Sequence, residues 1–97
     1  MTSPNDAAPE QVIGSRGEAE RARREQAEAS LRRTSGQVTV LENFEQRLNR
    51  QIHEAQEAGR DEYVRELIQR RISVRSQLDD MQRREQHARD EVERLGR

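Results

Sequence analysis

Apolar residues recur along two stretches of the chain at alternating steps of three and four. The first series is Leu31, Val38, Leu41, Leu48, Ile52 and Ala55, with Thr34 and Glu45 as its polar members. The second is Val64, Leu67, Val74, Leu78, Met81, Ala88, Val92 and Leu95, interrupted by Arg71 and Glu85. A repeat of about 3.5 residues places all of these on one narrow stripe of a helix. Each series therefore predicts a long helix that needs a partner helix.

Gly59 separates the two series. Glycine suits the left-handed residue that follows a helix end. Asp61 and Glu62 come next and place negative charge at the positive end of a new helix dipole. A connection this short makes the two helices antiparallel neighbours. Folding the seams about Gly59 sets Ala55 near Val64, Ile52 near Leu67, Leu41 near Leu78, Val38 near Met81 and Leu31 near Ala88. In that register Arg71 faces the stretch from Glu45 to Leu48, and a Glu45–Arg71 pair is expected to fix the register. The predicted fold is all-α: an antiparallel two-helix coiled-coil hairpin with a disordered N-terminal tail. The tail covers residues 1–15, where Pro4, Pro9 and Gly14 interrupt helix. The first helix covers 16–58, the turn 59–61 and the second helix 62–95. Ser15 followed by Glu18 fits a capping box. Ser35-Gly36 is a soft spot inside the first helix, but the heptad phase continues through it. Each arm would be ~50–60 Å long at ~1.5 Å per residue.

A two-helix rod buries little, so several apolar residues off the seam matter. Phe44, Tyr63, Ile68 and Ile72, with Arg60 at the tip, are the expected partner-binding residues; Val40 is a further exposed apolar position. They form a lateral surface for self-association or for another protein.

Composition narrows the alternatives. The 97 residues are 38% charged, 30% hydrophobic and 2% aromatic, which suits a solvated helical rod better than a compact globule. The net charge of −1 argues against disorder of the whole chain and against sequence-independent nucleic-acid binding. All 18 basic residues are arginine. The acids Glu18, Glu20, Glu25 and Glu28 lie among the arginines from Arg16 to Arg33, so a basic region followed by a zipper is disfavoured. With no cysteine there is no disulfide, thiolate nucleophile or cysteine metal site. No apolar run reaches the ~20 residues of a membrane span, and no secretory signal pattern opens the chain. A cytoplasmic address is expected.

Catalytic chemistry finds no support. His53 with Glu57 and His87 with Glu91 have the i,i+4 spacing of helix-borne metal ligands, but neither pair has a third ligand on its own helix. Ser73 and Ser76 have no histidine nearby, and a thin rod offers no enclosed site. Asp79 and Asp80 project in different directions from a helix. The reading is therefore non-enzymatic, with no catalytic residue, cofactor, metal or small-molecule substrate.

The stretch Ala58-Gly59-Arg60-Asp61-Glu62-Tyr63-Val64-Arg65-Glu66-Leu67-Ile68, followed by Arg70-Arg71 and by the heptad run from Gln77-Leu78, resembles the phage-shock-protein A family, which includes the vesicle-inducing protein of plastids. The family shows an Ala-x-x-Gly-Arg-Glu-Asp-Leu-Ala-Arg-Glu-Ala-Leu type stretch at the tip of a long helical hairpin. Here Asp61-Glu62 reverses the two acids, and Tyr63-Val64 replaces Leu-Ala. The resemblance covers about residues 54–95. It implies a hairpin tip at Gly59-Arg60, assembly into membrane-associated polymers and a role in envelope stress, including restraint of a transcription activator in some bacteria. The family's N-terminal amphipathic membrane helix and its later helices have no counterpart in this sequence, so direct membrane remodelling is not expected. The functional expectation is an oligomerising or adaptor module in a stress or regulatory assembly. The alternative is a nucleic-acid-binding or transcription-regulating accessory protein that uses its arginine-rich faces.

Overall fold

A computed structural model describes the backbone of residues 4–96 and the side chains of residues 16–96. The backbone of the first helix begins at Pro4, ahead of the start expected at residue 16, and the side chains of residues 1–15 lie outside those described. Two helices make up the fold, α1 (Pro4–Glu57) and α2 (Asp61–Gly96). They pack against each other as an antiparallel hairpin with extents of 87 × 24 × 14 Å. No strand occurs among the described residues.

Helix α1 runs unbroken through Ser35-Gly36. Arginine, glutamate, glutamine and alanine dominate its length, and all are strong helix formers. Around the glycine, the hydroxyls of Thr34 and Thr39 donate back to the carbonyls of Ser30 (2.8 Å) and Ser35 (3.1 Å). These bonds satisfy the hydroxyls within the helix without drawing the backbone out of it.

The turn has a definite chemistry. Gly59 takes φ 69°, the left-handed conformation that a Cβ disfavours. The Arg60 N–H donates to the Ala55 carbonyl at 2.9 Å, and the Gly59 N–H to Gln56 at 3.1 Å. These are the two bonds of a Schellman closure, and they satisfy carbonyls left open at the end of α1. Arg60 then starts α2, because its carbonyl accepts from Val64 N–H at 2.9 Å. Arginine is a weak residue at such a start, since it has no side-chain oxygen to cap with. Asp61 and Glu62 in the first turn compensate through the helix dipole.

The seam buries residues unevenly along the rod. Val38, Leu48, Ile52, Ala55, Val64, Leu67, Val74 and Leu78 are buried, and Leu67 and Leu78 are sealed almost completely. All lie between the turn and the level of Val38. Toward the open end, Leu31, Met81, Ala88, Val92 and Leu95 keep the same phase but are only half-buried. There the residues flanking them are mostly charged and exposed, so the core tapers from the tip outward.

Polar members of the seam pair differently from expectation. Glu45 does not pair with Arg71. Arg71 donates to Asn49 Oδ1 at 3.0 Å, while Arg75 reaches Glu45 at 3.3 Å. The register itself explains this. Arg75 lies three residues before Leu78, and Glu45 lies four after Leu41, so matching Leu41 with Leu78 brings Glu45 to Arg75. The same frame moves Arg71 one turn along, to Asn49. A long guanidinium side chain reaches across the seam to the flank of the facing helix, past the nearest seam position.

Candidate interaction surfaces

The hairpin has two flanks, one on each side of the seam. Phe44 borders Gln69, Arg70, Ser73 and Val74 on the first flank. Arg70 continues toward the tip into a shallow cleft with Arg60, Tyr63 and Glu66. Phe44, Tyr63 and Arg60 therefore share this flank. The Arg60 guanidinium lies over the Tyr63 ring, 4.5 Å from its centroid, a cation–π contact that ties the turn to the first turn of α2. Tyr63 is half-buried against the core.

Ile72 lies on the opposite flank, with Glu45, Arg71 and Arg75. Ile68, one helical turn earlier, is half-buried against the core cluster. The five residues expected to form one lateral surface thus fall on two. Heptad position carries the reason. Phe44 stands immediately before its seam position Glu45 and borders the seam on one side. Ile68 stands immediately after Leu67 and borders it on the other, with Ile72 further round.

Exposure separates the candidates as well. Ile72 is 57% exposed, Phe44 39% and Val40 66%. Val40 lies one turn from Phe44 on α1, on the same side. The Phe44 flank therefore carries two adjacent exposed apolar side chains, and the Ile72 flank carries one.

On the Ile72 side, Arg75 is shared between Asp79 (2.9 Å) and Glu45 (3.3 Å). Its hydrogen bonds to Asp79, reinforced by the two carboxylate charges, raise the Arg75 pKa above its ordinary value. On the Phe44 side, Arg33, Arg47, Arg70 and Arg84 are exposed and form no ion pair among the described residues, and Arg71 beside Ile72 forms none either. Asp80, four residues before Arg84, binds Arg83 instead, whereas Glu66, four residues before Arg70, lines the same shallow cleft as Arg70. These unpaired arginines escape a reading based on sequence proximity. The recurrence of Arg33, Val40 and Arg47 at seven-residue steps was the available signal.

The remaining candidates stay dispersed. His53 meets Glu57 at 3.0 Å, with both side chains largely exposed. No group of three potential metal ligands forms among the described residues. Ser73 and Ser76 are exposed on α2. At the end of α2, Arg94 donates to Glu91 at 3.0 Å, which lowers the Glu91 pKa and raises that of Arg94. No helix among the described residues is long and apolar enough to cross a membrane. What the geometry offers is two long helical flanks with distinct chemistry, suited to packing against another helix. Comparison with protein families, curated proteins and solved structures finds no match.

Proposed function

We propose that the chain is a non-enzymatic hairpin interaction protein, an oligomerising or adaptor module that works by side-by-side helix packing. One observation carries the reading. The seam between α1 and α2 is already filled, yet Phe44, Val40 and Ile72 remain exposed on the flanks of a thin rod. Apolar side chains held at fixed helical spacing outside a filled seam provide anchors for another helix. The tip sequence from Ala58 to Ile68 supports a relation to the phage-shock-protein A family and, with it, a cytoplasmic role in envelope-stress or regulatory assemblies. Sedimentation equilibrium of the full chain, together with a tagged pull-down, tests this. Concentration-dependent assembly or a specific protein partner is expected, weakened by Phe44→Ser or Ile72→Ser. A strict monomer that retains no protein partner refutes it.

The unpaired arginines favour a second reading, a nucleic-acid or transcription accessory role. It predicts binding of duplex or single-stranded DNA at ~50 mM salt, where phosphate contacts are strongest. No binding at that salt eliminates it.

A further inference from the structure

One column of side chains beside the seam carries no charge. Between residues 28 and 58, the α1 positions spaced seven apart that include Phe44 are Ser30, Gln37, Phe44, Gln51 and Ala58. Every other column off the seam, on either helix, contains at least one Asp, Glu or Arg. Positions beside a coiled-coil seam are commonly charged, so this stripe stands out in a chain that is 38% charged. It also matches in both directions from Phe44, with a glutamine one heptad away and a small residue two heptads away on each side. A two-fold contact calls for such symmetry, because when residue i meets j, j must also meet i. We infer that the Phe44 flank is the interface of an antiparallel dimer, with α1 packed on α1 of a second copy and the two-fold axis at Phe44.

The register of the hairpin then fixes what meets on α2. Arg75 reaches Glu45 across the seam, so Phe44 stands level with residue 75 and the axis crosses α2 there. Arg70 and Asp80 lie five residues to either side of that point, and Glu66 and Arg84 lie nine. The axis sets Arg70 against Asp80 of the second copy and Arg84 against Glu66 of the second copy. On α1, Arg33 and Glu54 stand eleven and ten residues from Phe44 on opposite sides, so they meet as well. All of these face the same flank. Phe44 borders Arg70 and Ser73, Glu66 shares the tip cleft with Arg70, and Gln51 and Glu54 border Tyr63. Arg84 and Asp80 continue the heptad columns of Arg70 and Ser73.

Acids and arginines interleaved on one rim suit a partner that carries the same rim reversed. Arg33, Arg70, Arg84, Glu54 and Glu66 form no ion pair within the hairpin, and each gains one across the axis. Asp80 leaves only an exposed pair with Arg83, which is worth little. Arg47 falls opposite Val40, where its aliphatic stem covers the apolar side chain and its guanidinium stays in water. The overlap spans about 30 residues, or ~45 Å at ~1.5 Å per residue. Across two helices of ~10 Å diameter this covers about 900 Å² on each copy, against the ~800 Å² per partner of a stable interface. The opposite flank fits less well. An axis at Ile72 sets Arg65 against Asp79, which Arg75 already holds by two hydrogen bonds, and lays Ile68 against Arg75.

Such a dimer is one form of the interaction hairpin and rests on that reading. Sedimentation equilibrium of the full chain should show a dimer. Phe44→Ser should weaken it tenfold or more, while Ile72→Ser leaves it within twofold. Arg70→Glu alone and Asp80→Arg alone each set like charges together twice across the axis and should also weaken it tenfold or more. A mixture of these two variants restores opposite charges at both contacts and should associate at least tenfold more tightly than either alone, which also shows that both variants fold. Asp90→Arg is the control, since it makes the same charge change on the outer face of α2, where Asp90 accepts from Gln86. Fluorescein-labelled Arg70→Glu chain, followed by anisotropy, should bind Asp80→Arg at least threefold more tightly than Asp90→Arg. A chain carrying both Gln37→Cys and Gln51→Cys should oxidise to a covalent dimer, and neither single variant should. The two positions are ~21 Å apart along one helix, so the bond forms only between copies. A chain that stays monomeric, no gain on mixing, no difference between Asp80→Arg and Asp90→Arg, or absence of the covalent dimer overturns the proposal. So does a dimer lost in Ile72→Ser and kept in Phe44→Ser. A monomer that retains another protein, or a dimer through the Ile72 flank, leaves the interaction reading standing; a monomer with no partner ends both.

Discussion

Replacing Leu67 with alanine should be the most damaging single truncation near the turn. Leu67 is 0% exposed and belongs to the cluster formed with Leu48, Ile52, Ala55, Val64 and Val74. The substitution removes three carbons, a transfer loss of about 2–2.5 kcal/mol at ~0.8 kcal/mol per carbon. A residual cavity adds to this. In closed cores the total for Leu→Ala runs ~2–5 kcal/mol. A rod two helices thick is open on both flanks, so neighbouring side chains can relax into the gap. The expected cost is therefore about 2.5–3 kcal/mol, in the lower half of that range. A small domain holds ~0.05–0.15 kcal/mol of stability per residue, and a thin hairpin stands near the low end. The substitution thus removes roughly half of what holds the arms together. Urea unfolding followed by circular dichroism at helix wavelengths, with m near ~1 kcal/mol/M, should show a midpoint drop of about 2.5–3 M. Leu95→Ala is the internal control. Leu95 is half-buried at the open end, so its loss should cost below ~1 kcal/mol by the same area argument. Equal midpoints for the two variants, or a drop below ~1 M for Leu67→Ala, would falsify the tapering core.

Two further predictions concern the backbone and pH. A Cβ added at Gly36 or Gly59 meets nothing within 4 Å, so backbone conformation decides both substitutions. Gly36→Ala, inside α1, should raise stability by ~0.5–1 kcal/mol, and Gly59→Ala, at φ 69°, should lower it by ~1–2 kcal/mol; thermal melts of the two variants should move in opposite directions. Arg94 holds the Glu91 pKa below its ordinary value, so this pair's contribution is present above the unfolded carboxyl pKa and is lost as pH falls through the lowered folded value. Amide exchange in the last turns of α2 should therefore quicken in acid before the tip does, and Glu91→Gln should remove that difference.

The helices and their mutual register were legible because a heptad seam is a one-dimensional signal. Val38, Leu48, Ile52, Val64, Leu67, Val74 and Leu78 announce themselves by spacing alone, and burial follows from it. Gly59 was legible for the same kind of reason, since one residue type fits one backbone conformation. Polar partners were harder to read. The reach of an arginine exceeds the spacing between seam positions, so Arg71 and Arg75 find Asn49 and Glu45 across the seam. Phe44 and Ile72 lie equally off the seam yet on opposite sides of it, and distance from the seam does not record side. Whether an arginine is neutralised depends on which of several nearby acids it selects. Sequence distance does not record that choice, as the unpaired Arg70 and Arg84 illustrate.

The concentration of buried residues beside the turn also sets how the hairpin would come apart under load. A force that separates the ends of the arms acts first on Leu31, Ala88, Val92 and Leu95, which are only half-buried. Resistance then climbs as the fork reaches Val38 and Leu78 and peaks near Leu48, Ile52 and Leu67. Closure runs in the reverse direction. Contacts beside Gly59 enclose the shortest loops and carry the smallest closure entropy, so they form first and each helical turn brings the next within reach. The molecule behaves as a zipper with its strongest teeth at the closed end, able to open part-way and reclose without losing its register.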